Sequence, residues 1–394
     1  MVIPSEQGNA APNAHRKISG RWVASALALI IILILVVMWQ VAYKHAFHPP
    51  QTFVNTHVVF AGPQTNRICG GRDMFNVVSW VACDNIGPRK TDSLAVELGD
   101  LNNDQLTDVV FGHLSDNGSL AAHTCLGTQQ GRVVCQPVEG LNSTLWDIAL
   151  GDLNNDGTLD GVFAVNESGF FICFGDGAGG LACQEDGQNI NQEIRKVALA
   201  DFNRDGLLDV VLGSSTSNNL LCLGNDQSQF NCLEILDTNK AIEDLDIGDV
   251  NLDGFPDVVF VYEHAYQICL NNSAGQLGCQ SFDLGQVSIR AVALGDINAD
   301  QALDAVFAGD DTVVCLSKSG PFYEGECVSA QPLNQYPHTD VALGDVNADG
   351  RLDAVFSGSV NWTCLGLDQP DVACQQIGPF NHLSRAVALW QVVP

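Results

Sequence analysis

A nine-residue pattern that recurs six times constrains this chain more than any other feature. Its last copy, Asp345-Val-Asn-Ala-Asp-Gly-Arg-Leu-Asp353, places oxygen-bearing side chains at positions 1, 3, 5 and 9, and the backbone carbonyl of position 7 can turn inward beside them. The first three copies use Asp100, Asn102, Asp104 and Asp108 with Leu106 at position 7; Asp152, Asn154, Asp156 and Asp160 with Thr158; and Asp201, Asn203, Asp205 and Asp209 with Leu207. The later three use Asp249, Asn251, Asp253 and Asp257 with Phe255; Asp296, Asn298, Asp300 and Asp304 with Ala302; and Asp345, Asn347, Asp349 and Asp353 with Arg351. Five hard oxygens converging on one point suit Ca²⁺. Three carboxylates about 4 Å apart would repel by ~4 kcal/mol per pair near a protein surface, so a loop that keeps all three expects a divalent cation. One copy alone would read as a solvated Asn/Asp turn. Six copies read as up to six calcium sites.

An EF-hand begins in a similar way but closes with a bidentate Glu at position 12, on an outgoing helix. Here the twelfth residues are Phe111, Phe163, Leu212, Phe260, Phe307 and Phe356, inside short apolar runs such as Asp353-Ala-Val-Phe-Ser-Gly. Such runs read as buried strands, which puts the loops inside β-hairpins.

The loops also explain much of the charge. There are 46 acidic residues against 17 basic ones, a formal net charge of −29. Six divalent ions would offset about twelve of the negative charges, and the remainder argues against nucleic acid as a partner.

Residues 1–21 are polar and read as a disordered cytoplasmic tail. Residues 22–43 follow, with an uncharged apolar run over 23–39 that is just long enough to span a bilayer as one helix. Trp22, Trp39 and Tyr43 stand at its ends, where amphipathic rings prefer the interface. Arg16, Lys17 and Arg21 precede it while only Lys44 closely follows, so the N-terminus is expected in the cytoplasm. A cleaved signal peptide would need a small-x-small site after the run, and none is evident. The expectation is a transmembrane signal anchor, a linker over 44–52, and a domain over 53–394 that is extracellular or periplasmic.

That domain is one repeat throughout. The first aspartates of the loops fall at 100, 152, 201, 249, 296 and 345, a period of about 49 residues. Each unit holds an apolar strand, the calcium loop, a second apolar strand and two further strands with one cysteine each. Four strands in that length make a propeller blade. Arg385-Ala-Val-Ala-Leu-Trp390 repeats a first strand, while His57-Val-Val-Phe-Ala-Gly62 matches a second strand. One blade is therefore expected to be split between the chain ends, a closure that removes open sheet edges. The fold expected is all-β, a monomeric seven-bladed β-propeller with split-blade closure, preceded by one transmembrane helix.

The 14 cysteines fall in successive pairs, 69/83, 125/135, 173/183, 222/232, 269/279, 315/327 and 364/374. Zinc would favour a close C-x-x-C pairing, which is absent. Spacing alone leaves the connectivity open, and disulfides within blades are the simplest expectation. They require an oxidising, extracytoplasmic compartment.

These residues resemble the FG-GAP family, with its VCBS-type relatives, the family of calcium-binding propellers that includes the integrin α-subunit head. The resemblance spans 53–394 and rests on the Asp-x-Asn-x-Asp-Gly-x-x-Asp loop, the following Val-Phe-x-Gly and the repeat period. Phe60-Ala-Gly-Pro63 is close to the motif that names the family. Two loops depart from the pattern, with Gln105 and Gln301 where position 6 should be Gly, and weaker sites are expected there. The resemblance implies a calcium face at the loops between first and second strands, and a ligand face opposite. Mapped onto this chain, the ligand face would carry Trp146, Tyr262, His264, Tyr266, Tyr336, His338, Trp362, Phe380 and His382. Aromatic and imidazole groups on loops suit protein or carbohydrate contacts.

The first functional expectation is a membrane-anchored binding or adhesion module. The second is a propeller enzyme, a hydrolase or lyase acting on a polysaccharide, although no Gly-x-Ser-x-Gly and no His-Glu-x-x-His occurs. A third is a scaffold in an envelope complex. Fold alone does not choose among them.

Overall fold

The structure is a computed structural model that describes residues 56–391, apart from 74–77, 89–90, 116–120, 129–132, 167–168, 186–189, 191, 226–228, 236–239, 273–274, 318–320, 325, 331–332, 334–335, 369–371 and 378–382. They belong to the second of two units of the chain, Val54–Pro394. The expected tail, membrane helix and linker lie outside the described residues. Among the described residues no helix is long and apolar enough to cross a membrane.

Twenty-eight strands form seven antiparallel sheets of four. The inner strands of six blades are Ser93–Gly99, Leu145–Gly151, Ile194–Ala200, Asp244–Gly248, Ile289–Gly295 and His338–Gly344. Each contacts the next around the ring. The remaining blade takes its inner strand, Ala386–Gln391, from the end of the chain, paired antiparallel with Thr56–Ala61 at its start. The expected split closure is therefore present.

Strand position decides burial. The second strands, such as Asp160–Val165 and Asp257–Tyr262, are buried at every residue because a neighbouring blade covers each of their faces. That is why the run after each loop is continuously apolar instead of alternating. The fourth strands, such as Phe230–Glu234, form the outer rim and are mostly exposed. The apolar interior is not one core but seven clusters, one at each junction between adjacent blades. Phe111, Phe163, Phe260, Phe307 and Phe356 are fully buried in these layers.

A second packing rule runs around the ring. The glycine just before a loop receives the leucine from position 8 of the next loop. A Cβ at Gly99 would come within 2.5 Å of Leu159, and one at Gly248 within 2.4 Å of Leu303. Gly151 and Gly295 repeat the relation with Leu208 and Leu352. Ala200 stands where the other blades have this glycine, and the following loop carries Pro256 in place of leucine.

All seven disulfides join the third and fourth strands of one blade, between residues directly opposite in register, such as Cys173 and Cys183. No cysteine is free. Each closes a short hairpin at the rim, where burial contributes least. In the chain-entropy view a closure of this size contributes about 3 kcal/mol.

Candidate functional site

Each of the six loops joins an inner strand to the second strand of its blade, and all six have one hydrogen-bond pattern. In the 152–160 loop, Asp152 accepts the amides of Asp156 (3.0 Å) and Gly157 (2.8 Å), one on each carboxylate oxygen. Asn154 Oδ1 also accepts the Asp156 amide (2.9 Å), and Asp156 accepts that of Thr158 (2.8 Å). The position-1 bonds recur in the other loops, including to Gln105 and Gln301 at 2.8 Å. A glutamine at position 6 thus keeps the loop geometry, at φ of 66° and 72°.

Position 9 plays a different part from positions 1, 3 and 5. Asp160 accepts the amides of Leu153 (3.0 Å) and Gly175 (2.8 Å), so its carboxylate ties the start of the loop to the end of the third strand. Its counterparts Asp108, Asp209, Asp257, Asp304 and Asp353 do the same. All six are fully buried. Burial pushes the carboxyls of Asp209 and Asp257 up to about 6, and that of Asp353 up to about 7, against the lowering effect of the amides.

Two observations bear on a cation. The donor set is all oxygen, as a hard cation requires, and the position-9 carboxyls are raised chiefly by burial. Yet among the described residues no three Asp, Glu, His or Cys side chains are gathered closely enough to form a ready metal cluster. The loop carboxylates instead close hydrogen bonds with loop amides, and in five loops the position-3 asparagine also donates to the position-5 carboxylate. In the sixth, Asn298 donates to the Ser317 carbonyl (3.3 Å), and the buried Ser317 hydroxyl donates to Asp304 (2.8 Å). The donor chemistry fits calcium. Asp and Asn at positions 1, 3 and 5 would hold it and position 9 would support the loop from below.

Neighbouring loops are stitched together. Asn103 donates to the Gly157 carbonyl (3.3 Å) and Asn155 to that of Gly206 (3.4 Å). Arg204 donates to the Gly254 carbonyl and lies 3.7 Å above the Phe255 ring centroid. All three donors occupy position 4, a place the sequence pattern does not mark.

The expected ligand-face residues divide into groups. Tyr266 and His338 are buried packing residues, whereas Tyr262 is largely buried but lines a cleft. Tyr266 stacks on Phe282 (4.9 Å) and packs against Phe307 (4.8 Å), while His338 lies against Phe356 and burial pushes its pKa down to about 4. Trp146 is half-buried beneath the Arg195 guanidinium (4.6 Å), and Trp362 pairs with Tyr336 (5.6 Å). His264 is exposed, and its Nδ1 lies 3.1 Å from the Val287 carbonyl. Phe380 and His382 lie outside the described residues.

The FG-GAP-like repeat family matches residues 201–260 and 249–307, two overlapping copies of the loop-and-strand unit. The ring is closed by seven four-stranded blades, six of which carry the loop. The chain is a seven-bladed propeller that contains FG-GAP-like repeats. Among solved structures it is similar to an Agrocybe aegerita lectin described as recognising non-reducing terminal N-acetylglucosamine, at 14% identity and a TM-score of 0.55, over 86% of this chain and 96% of that one. It is also similar to BBS1N, solved in complex with ARL6DN, at 12% identity and a TM-score of 0.51, over 74% of this chain and 86% of that one. At these identities the likeness is one of fold. No curated protein matches the sequence.

Two polar networks in this propeller were not foreseen. Ser93 Oγ lies 2.8 Å from His113 Nδ1, and His113 Nε2 lies 3.1 Å from His123 Nδ1. Ser93 and His113 are buried, and burial pushes His113 down to about 3, so the serine cannot meet a substrate. The second network lines the central channel, a cavity of about 490 Å³. Aspartates on the inner strands reach to the next blade: Asp147 accepts the Val197 amide (3.0 Å), Asp244 that of Val292 (2.9 Å), Asp246 that of Leu294 (2.8 Å) and Asp340 that of Val387 (2.9 Å). Lys196 pairs with Asp244 at 2.9 Å. Burial opposes its charge, but Asp244, Asp147 and Asp340 outweigh burial and hold its pKa above the ordinary range.

Proposed function

We propose that this FG-GAP propeller is a membrane-anchored, extracytoplasmic calcium-binding module that takes a protein or carbohydrate ligand on the face opposite its loops. The observation that carries the reading is the array of six complete oxygen-donor loops, all between first and second strands and therefore all on one face. Calcium there is structural: it fixes hairpins and leaves the other face for recognition. Seven disulfides suit an oxidising compartment, and the uncharged run over 23–39 supplies the anchor. The lectin among the structural neighbours supports a carbohydrate ligand.

The unfolded chain cannot gather the loop ligands, so the ion stabilises the folded state by mass action. Chelation lowers the melting temperature, and Ca²⁺ restores it better than Mg²⁺, which demands tighter octahedral geometry. A calorimetric scan with chelator, Ca²⁺ or Mg²⁺ checks this. A melting temperature indifferent to all three would overturn the calcium reading. A glycan array and a pull-down from the native envelope, both at saturating Ca²⁺, test the ligand side.

A further inference from the structure

We propose that the blade with inner strand Asp244–Gly248 carries a binding cleft for a neutral pyranose, such as the terminal hexose of a glycan. The inference rests on the reading of the propeller as a ligand-binding module. A cleft of about 480 Å³ opens at the turn between Asp257–Tyr262 and Ala265–Asn271, bounded by Lys240 on the approach to the inner strand and by Phe282 and Asp283 at the end of the fourth. Turns between second and third strands lie on the face opposite the calcium loops. The volume is that of a small-ligand site.

The floor consists of two aromatic rings held from behind. The Tyr262 hydroxyl donates to Gln267 Oε1 (3.1 Å) and accepts from Asn219 Nδ2 (3.4 Å). Phe282 lies parallel to Tyr266, at 4.9 Å between centroids and 9° between planes, with Tyr323 beside it at 5.7 Å. Neither ring can turn aside without breaking these contacts, so the floor is formed before a ligand arrives and little ordering is needed on binding.

The rim is polar and of both signs. Lys240 Nζ stands 5.4 Å from the Tyr262 ring centroid. Glu263 and His264 are exposed at the turn, with Asp283 exposed on the opposite side. The Nδ1–H of His264 donates to the Val287 carbonyl, and its Nε2 stands 3.8 Å from Glu263 Oε1. An anion would meet the carboxylates of Glu243, Glu263 and Asp283, a bare cation would meet Lys240, and a wholly apolar ligand would strip water from all of these rim groups without replacing it. A pyranose meets each requirement. Its C–H face covers an aromatic ring, and its hydroxyls donate to the carboxylates while accepting from the lysine.

The test uses the full chain in a detergent without a sugar headgroup, at saturating Ca²⁺, against methyl glycosides of glucose, galactose, mannose and N-acetylglucosamine. Saturation-transfer NMR and titration calorimetry read binding. At least one glycoside should bind, and a Glu263→Gln/His264→Ala variant should weaken it at least about tenfold, as expected for losing hydrogen bonds to a charged partner, at an unchanged melting temperature. Equal binding by both proteins would place the sugar elsewhere and overturn the cleft while leaving the module reading intact. Binding of no glycoside would also overturn it. The module reading itself would fall only if the native-envelope pull-down then yielded no ligand either.

Discussion

Position 4 of every loop turns left-handed, with φ from 54° at Ala348 to 63° at Leu252. Asn103 and Asn155 tolerate that conformation, but Arg204, Leu252, Ala299 and Ala348 bear its steric cost. Leu252 is 54% exposed, so burial does not offset that cost. Leu252→Asn should therefore raise stability by about 1 kcal/mol in the calcium-free chain, read as a higher denaturant midpoint. A lower midpoint would mean that the leucine side chain, not the local backbone, shapes the loop. Positions 1, 3, 5 and 9 were legible in the sequence because their chemistry fixes the side chain. Position 4 was not, because its constraint is on the backbone and Asn, Arg, Leu and Ala all meet it. Tyr266 and His338 were misread for a related reason. An aromatic or imidazole beside a turn has the same local pattern whether it faces solvent or the neighbouring blade, and only the blade-to-blade packing distinguishes them.

At the scale of the element, period and burial class were the legible part. The run following each loop announced a strand covered on both faces, and paired cysteines announced the outer hairpin. What the sequence did not reveal was how one blade grips the next. Gly99, Gly151, Gly248 and Gly295, just before their loops, are sockets for a leucine roughly one repeat away. Gly248→Ala should overpack against Leu303 and destabilise by about 1–3 kcal/mol. If the socket is the cause, adding Leu303→Ala should recover part of that loss, and the two changes should be clearly non-additive in a double-mutant cycle of unfolding free energies. Strict additivity would mean that the glycine serves the turn alone. The aspartate straps were hidden in the same way. Asp147, Asp244 and Asp340 find their partners on the neighbouring inner strand across the junction, which no local pattern marks.

At the scale of the whole molecule, the response to pH divides between the loops and the channel. If the loops hold calcium as proposed, the aspartates that bind it must be deprotonated, and acid would weaken the calcium contribution. The channel acids behave otherwise. Burial pushes Glu97 up to about 8, helped by Asp147 and Asp340, and burial pushes Asp246 up to about 7 and Asp147 to about 6. Asp340 is raised by burial as well. They face one another across the channel from four inner strands, with Lys196, from a fifth, and Arg385 as the cations among the lining residues. A carboxyl whose pKa is raised by folding holds its proton more tightly in the folded state. Its contribution to stability is therefore complete below the ordinary carboxylate range and is lost as pH rises through the raised value. With chelator present, the full chain should melt at a higher temperature near about pH 5.5 than near about pH 8. Glu97→Gln, which stays neutral at both, should flatten part of that slope. With saturating Ca²⁺ the slope should shrink or reverse, because the loops then lose their cation on the acid side. A chelated chain whose melting temperature falls steadily from about pH 8 to about pH 5.5 would count against the account, since the channel acids would then be relieved by solvent and not by protons.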